Sequence, residues 1–301
     1  MTQSATESNG RAAMEADEKR RAMVGGLPML TSILPNLRNA EQRVAEYIIA
    51  NAEEVVYLSI TDLAERSGTS EATVSRLCRR LGLKGYQELK ISLAMSILPE
   101  SKHVYETVID DDDPYTICSK VINSNIRGLQ DTLSVLDPEH LETTIERLAE
   151  ARRIEFYGTG GSAAVAKDAH HKFVKTGVPC VFYEDPHMQV MSASLLTPDD
   201  VVVAISYSGS NRDIHESMQV ARDQGAFIIL ITGFAKCPLA RLSDITLWVS
   251  VGETFKSESS RSRIAQLCVL DSLYIGVMMK RGDAGMKSLQ STREAVVGKR
   301  F

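Results

Sequence analysis

No C-x-x-C pair occurs in the 301 residues, and none of the five scattered cysteines (Cys78, Cys118, Cys180, Cys237, Cys268) has a histidine nearby at ligand spacing. That absence argues against a structural zinc site, a dithiol redox centre and a disulfide-stapled mini-domain. An odd number of thiols outside such patterns reads as reduced cysteine in a cytoplasmic protein. No metal and no cofactor are expected. No uninterrupted apolar run reaches about 18 residues and the first residues are polar, so neither a membrane span nor a secretory signal is expected. Internal repeats of solenoid length are also missing. So is net positive charge: the chain carries −5, which taken as one number argues against a nucleic-acid partner. What is present is ordinary for a folded chain, with 44% hydrophobic and 24% charged residues. The length suggests two domains.

The charge is unevenly placed. Met1 to Gly26 holds four basic and four acidic residues and reads as a mobile tail, and Leu27 to Leu98 holds eight of each. That leaves 22 basic and 27 acidic residues for Pro99 to Phe301, so the whole −5 sits there. Within Ser70 to Lys90, Arg76, Arg79, Arg80, Lys84 and Lys90 face only Glu71 and Glu88. Such a local excess fits a footprint for phosphate, or simply a solvated helix face.

From Leu27 to Leu98 the apolar spacing is helical. Asn39 and Ser59 suit N-caps, Gly68 suits the C′ position of a helix over Ile60 to Arg66, and Gly82 closes a helix opened by Ser70. The acidic run Asp110 to Asp113 with Pro114 reads as the end of a linker over residues 99–114. Helices are expected near Tyr115 to Leu136 and from Pro138 to Ala151. Then the period changes. Short β-rich runs at Ile154–Tyr157, Cys180–Tyr183, Val201–Ile205, Phe227–Ile231 and Ile245–Val249 alternate with helical segments near Ser162–Thr176, His187–Leu196 and Asn211–Gln224. This alternation predicts a parallel sheet covered on both faces, closed by a helix over Arg263 to Lys280.

The stretch Ile60 to Gly82 has the layout of a helix-turn-helix. Leu63 and small Ala64 can meet Val74 and Leu77 across a turn made by Gly68. Ser70, Glu71, Ala72, Thr73 and Val74 open the second helix, where short side chains and free amides suit base edges and phosphates. Arg76 lies one turn on, and Arg79, Arg80 and Lys84 suit backbone phosphates. The plainer alternative is a helical bundle that docks another protein.

Two strand ends carry unusual loops. Tyr157-Gly-Thr-Gly-Gly-Ser-Ala163 contains Gly160, Gly161 and Ser162, and Ser162 is expected to cap the next helix. Ile205-Ser-Tyr-Ser-Gly-Ser-Asn211 offers Ser206, Ser208, Gly209, Ser210 and Asn211. Each serine taken singly suits an ordinary turn. Two such loops at C-terminal strand ends of one α/β sheet suit shared anion binding. Gly158-x-Gly160-x-x-Ala163 also satisfies a dinucleotide fingerprint, with Glu184 ending the next strand. A P-loop fails, because no Gly-Lys-Ser/Thr follows the glycines.

These features together resemble the RpiR/MurR family of bacterial transcriptional regulators. The resemblance covers nearly all of Leu27 to Met279 and rests on Ser70-Glu-Ala-Thr-Val-Ser-Arg, Lys84-Gly-Tyr, the GTGGSA loop, ISYSGS and Ser262-Arg-Ile-Ala-Gln-Leu. It implies an N-terminal all-α helix-turn-helix domain (27–98) followed by a three-layer α/β/α sugar isomerase (SIS) domain (115–301) with a five-stranded parallel sheet. It also implies that Ser162, Ser206 and Ser208 hold a sugar phosphate, with Ser210 beside them. The usual pattern has Thr where this chain has Asn211. Aldose–ketose isomerisation would need a base and an acid, for which Glu184, His187, His215 and Glu258 are candidates; His170 and His171 suit a solvated helix. Glu258, with Ser259 and Ser260, suits a loop closing over ligand. The attached DNA reader favours sensing over catalysis. The expected partners are a phosphorylated sugar, a two-fold-related operator and a second copy in a homodimer or larger homo-oligomer. Ligand is expected to shift the population of two domain arrangements.

Overall fold

The computed structural model describes residues 26–34, 37, 39–97, 111–249 and 260–299. The chain divides into two compact units, Met1–Val104 and Tyr105–Phe301. Residues 99–110 of the expected linker lie outside the described residues, as do residues 1–25 of the expected tail and Glu258 to Ser259.

The first unit is all helical: α1 Gly26–Ile33, α2 Asn39–Ala50, the single turn α3 Ala52–Val55, α4 Ile60–Arg66, α5 Glu71–Arg80 and α6 Tyr86–Ile97. Its core is built from the inward stripes of these helices, with Leu30, Val44, Ile48, Leu63, Val74, Leu77, Leu89 and Leu93 fully buried. Burying each such side chain is worth about 1.5–3 kcal/mol. Tyr86 spans the unit, its hydroxyl donating to the carbonyls of Val55 and Leu58, both at 3.2 Å. Lys90 is also inward, its Nζ donating to the Leu58 carbonyl at 3.0 Å. It is therefore part of the framework rather than of any surface footprint.

The second unit follows the expected alternation: α7 Pro114–Val135, α8 Pro138–Glu150, β1 Arg153–Tyr157, α9 Gly161–Phe173, β2 Cys180–Phe182, α10 Pro186–Ala193, β3 Asp200–Ile205, α11 Arg212–Asp223, β4 Phe227–Thr232, β5 Ile245–Trp248 and α12 Ser260–Val297. All strand pairs are parallel, in the order β2-β1-β3-β4-β5. Period-2 alternation on β3 sends Val201, Val203 and Ile205 to one apolar layer, with Ala166, Phe173 and Leu273 from helices. Val202 and Ala204 go to the other layer, with Ile214 and Met218. Thus α9 and α12 cover one face and α11 the other.

Two departures have physical causes. Pro114, the last residue of the expected linker, sits at the first position of α7, where its missing N–H costs nothing; Asp113 caps that helix through the amides of Tyr115 and Thr116. The last helix does not stop at Lys280. It breaks at Gly282 (φ 50°, ψ −125°), a conformation open to glycine, and resumes to Val297. Arg281 pins the break by donating to the carbonyls of Thr176 at 3.0 Å and Ala149 at 2.9 Å. By length and composition this helix is apolar enough to cross a bilayer. Ala265, Val269, Leu270, Leu273 and Val277, however, are buried in the sheet's own core, which accounts for its apolarity.

Candidate functional site

In the first unit, α4 and α5 form a helix-turn-helix whose turn is over-determined. Ser59 closes a capping box with Asp62 at the start of α4. At its end Gly68 (φ 61°) donates to the Glu65 carbonyl at 3.1 Å, and Thr69 donates to Ala64 at 2.8 Å, a Schellman closure. Ser70 then caps α5 by accepting from the Thr73 amide at 3.3 Å.

The outward face of α5 carries Ala72, Ser75, Arg76 and Arg79, with Ser70 at its start and Arg80 and Lys84 beside it. Two expected contacts do not belong to this face. Val74 is fully buried, and Thr73 is 3% exposed with its hydroxyl bonded to Ser70 and Arg76. A 3.6-residue period turns these two positions inward, so their side chains hold the helix rather than read a duplex. Glu71 is tied back to the first helix of the motif, accepting from the Thr61 hydroxyl at 2.5 Å. Ser75 was missed by sequence reasoning; its i, i+3 relation to Ala72 and i−4 relation to Arg79 is the signal that finds it. Burial pushes the Cys78 thiol up to about 12, marking it as an inert core group.

In the second unit the strand order places the two loops side by side. β1 and β3 are neighbours, yet the chain leaves β1 into α9 on one face and leaves β3 toward α11 on the other. This is a topological switch point, and both loops lie at its C-terminal edge.

The first loop works through its backbone. Ser162 does not cap α9. Gly160 occupies that position at φ 54°, ψ −127°, with no side-chain cap, and Ser162 is the second residue of the helix. No side chain closes the helix start, although the amides of Ser162 and Ala163 already donate to the carbonyls of Thr159 and Gly160, both at 3.1 Å. Gly158 permits this geometry, because a Cβ there would lie 2.6 Å from the Ser162 carbonyl oxygen. Gln189, fully buried on α10, donates to the carbonyls of Tyr183 (2.7 Å) and Gly158 (3.4 Å), tying the ends of β2 and β1 together.

The second loop is braced from below. The Ser206 amide extends the sheet ladder to Ile231 at 3.0 Å. Gly209 (φ 59°) packs against Cys237 so closely that a side chain there would collide with it. The Tyr207 ring packs against Gly233, where a side chain would collide with it, and beside Phe234, ring centroids 5.6 Å apart. Ser208 and Ser210 hydroxyls are 3.2 Å apart. Asn211 caps α11, its side-chain oxygen accepting from Ile214 at 2.9 Å, so only its amide NH2 remains to donate outward.

A cation at this edge was also missed. Arg263, near the start of α12, brings its guanidinium to 3.7 Å from where a Cβ of Gly161 would stand. Its motif, Ser262-Arg-Ile-Ala-Gln-Leu, was legible; its nearness to Gly161 was not. Beneath the edge lies a buried charge, Glu155, which is paired with Arg153 and accepts from Tyr157 and Ser192, both at 2.7 Å. Burial and the Glu155 carboxylate push the Tyr157 hydroxyl well above the usual tyrosine range. The isomerase candidates Glu184 and His187 are exposed beside the α10 cap Asp185, while His215 is on α11 and half-buried. Among the described residues no cluster of three His, Cys, Asp or Glu side chains is poised for a metal.

A helix-turn-helix head and an open α/β unit with serine and glycine loops at its switch point define a ligand-responsive DNA-binding regulator. Residues 24–100 match the helix-turn-helix domain of the rpiR family and residues 147–276 match the SIS domain. The chain is 38% identical over 276 residues to the HTH-type transcriptional regulator HexR of Pseudomonas aeruginosa, covering 91% of this chain and 96% of that one. It is 34% identical to HexR of Escherichia coli, over 91% of this chain and 95% of that one. Among solved structures, Vibrio vulnificus NanR complexed with ManNAc-6P superposes with a TM-score of 0.73 at 28% identity, covering 92% of this chain and 99% of that one. The chain belongs to the RpiR family of helix-turn-helix transcriptional regulators with a SIS domain.

Proposed function

We propose that this chain regulates transcription in response to a phosphorylated sugar, binding the phosphate at the shared edge of β1 and β3 without turning the sugar over. One observation carries the reading. Two loops rich in neutral donors, with an uncapped helix start between them, meet at the switch point of a parallel sheet. Ser162 and Ser206–Ser210 supply hydroxyls, Gly160 and Gly161 supply amides, and Arg263 adds a cation at the rim. NanR of Vibrio vulnificus is complexed with ManNAc-6P, a sugar phosphate, which agrees with this chemistry. The dinucleotide reading is weaker, since the serine loop after β3 has no part in that fingerprint.

The head binds operator DNA through Ser70, Arg76, Arg79, Arg80 and Lys84. A dimer presents two such helices to a two-fold-related site, and the role places the protein in the cytoplasm. Ligand biases the equilibrium between two arrangements of the units. Residues 27–98 act as the reader, 99–114 as the connection and 115–301 as the sensor, with Glu258 as a further ligand contact.

A thermal-shift panel of sugar phosphates on the full chain tests this, since a ligand specific to the folded state raises its melting temperature. The expected result is a shift with one member, lost in Ser206→Ala, and a changed operator affinity with that member present. Equal operator affinity with and without the shifting compound overturns the regulatory reading. Turnover of that compound, lost in Glu258→Gln or His187→Ala, overturns the non-catalytic one.

A further inference from the structure

Two of the three arginines on α5 share one carboxylate. Glu41, in the first turn of α2, places Oε2 3.2 Å from a guanidinium nitrogen of Arg80 and Oε1 3.8 Å from Nε of Arg76. Arg76 also donates to the Thr73 hydroxyl at 3.3 Å, which is 3.0 Å from the hydroxyl of the cap Ser70. A continuous line of contacts thus runs from the start of α5, through Arg76, to a different helix. Arg79, on the same outward face, has no such partner among the described residues.

The arrangement is a poor strut. Side chains of Arg76 and Arg80 are 62% and 49% exposed, and ion pairs in that setting add little to stability. Its effect falls instead on what the arginines can bind. A duplex of arbitrary sequence offers them phosphate oxygens, which only replace the carboxylate oxygens they already hold. The Glu41 charge also faces the incoming phosphates with the wrong sign. A guanine edge offers two acceptors in a fixed geometry, which a single carboxylate oxygen at 3.8 Å does not match. We propose that Glu41 is a specificity-determining positioning residue of the DNA-reading head. It holds Arg76 and Arg80 and penalises phosphate-only binding more than base-directed binding. This rests on α5 being the helix that contacts DNA.

The test uses the full chain. A consensus duplex is first selected from a random-sequence library with the wild-type protein, and its affinity is then compared with that of a scrambled duplex between about 50 and 200 mM salt. Glu41→Gln keeps the shape and removes the charge. It should bind the scrambled duplex about fivefold more tightly at low salt, with a salt slope steeper by about one phosphate contact, while the consensus affinity moves by less than about twofold. The specificity ratio therefore falls. Glu41→Asp, which keeps the charge, should hold the ratio near wild type, and Glu41→Gln should have no further effect when Arg76 and Arg80 are both alanine. An unchanged ratio in Glu41→Gln, or an Asp variant that behaves like Gln, overturns the proposal. Where Glu41→Gln lowers the melting temperature, the Asp comparison and the double-arginine background decide between folding and specificity. Failure to select any consensus would overturn the reading of α5 itself, a separate outcome from an unchanged ratio.

Discussion

In the proposed reading the two units meet phosphate in opposite ways, although each does so at the start of a helix. In the head, Ser70 spends its hydroxyl on the Thr73 amide, so the end of α5 is closed. Attraction must come from arginines one and two turns further on. In the sensor, no side chain caps the start of α9, and serines with one rim arginine, Arg263, stand near it, in a region that carries the whole net charge of −5. The difference follows from the partner. DNA is a long polyanion for which many movable charges give affinity and fast encounter, and position is read afterwards. A sugar phosphate is small, and fixed neutral donors select its geometry within an acidic body.

The contrast can be broken most forcefully with salt. Operator affinity should fall about 10³-fold between 50 and 200 mM salt if roughly six phosphates are neutralised by a dimer. Affinity for the sugar phosphate, measured by calorimetry over the same range, should change far less; equal slopes would erase the distinction. Next in size, Arg79→Ala should weaken operator binding by about 10-fold, as expected for a lost charged contact, while leaving the ligand-induced melting shift intact. Ser206→Ala should do the reverse, weakening the sugar phosphate about 10-fold with operator affinity of the unliganded protein unchanged. Loss of both activities in either variant would point to a folding defect. Smallest is a labelling pattern. Burial holds the Cys180 thiol at about 11 and the Cys78 thiol at about 12, so at about pH 8 both stay protonated in the native state. Exposed Cys118 and Cys268 should alkylate first, with Cys78 and Cys180 reacting only on unfolding; early modification of Cys78 would contradict the packing of the head.

Much of this architecture was legible locally. Each strand lies within a residue of its expected position at either end, because its β-branched run is bounded by glycine, proline or a polar turn. The helix-turn-helix announced itself through Ser59, Gly68 and Ser70, residues whose caps and turn need no distant partner. Features that depend on distant residues stayed hidden. The helix beyond Gly282 was missed because Arg281 is anchored to carbonyls 105 and 132 residues away. Glu155, on β1, carries no local sign of burial, because Ser192, which donates to it, lies 37 residues away. Position at the helix start suggests the DNA face for Thr73 and Val74, whereas the helical period places them in the core. Arg263 escaped because its approach to Gly161 joins two helices far apart in the chain.

The switch point has one more consequence. β1 feeds a helix on one side of the sheet and β3 leads into a helix on the other, so an anion gripped by both loops fastens the front layer to the back. Such a ligand acts as a rivet. What it removes is the freedom of two layers to slide across a common sheet, and a sensor built this way can signal by stiffening without any element having to travel.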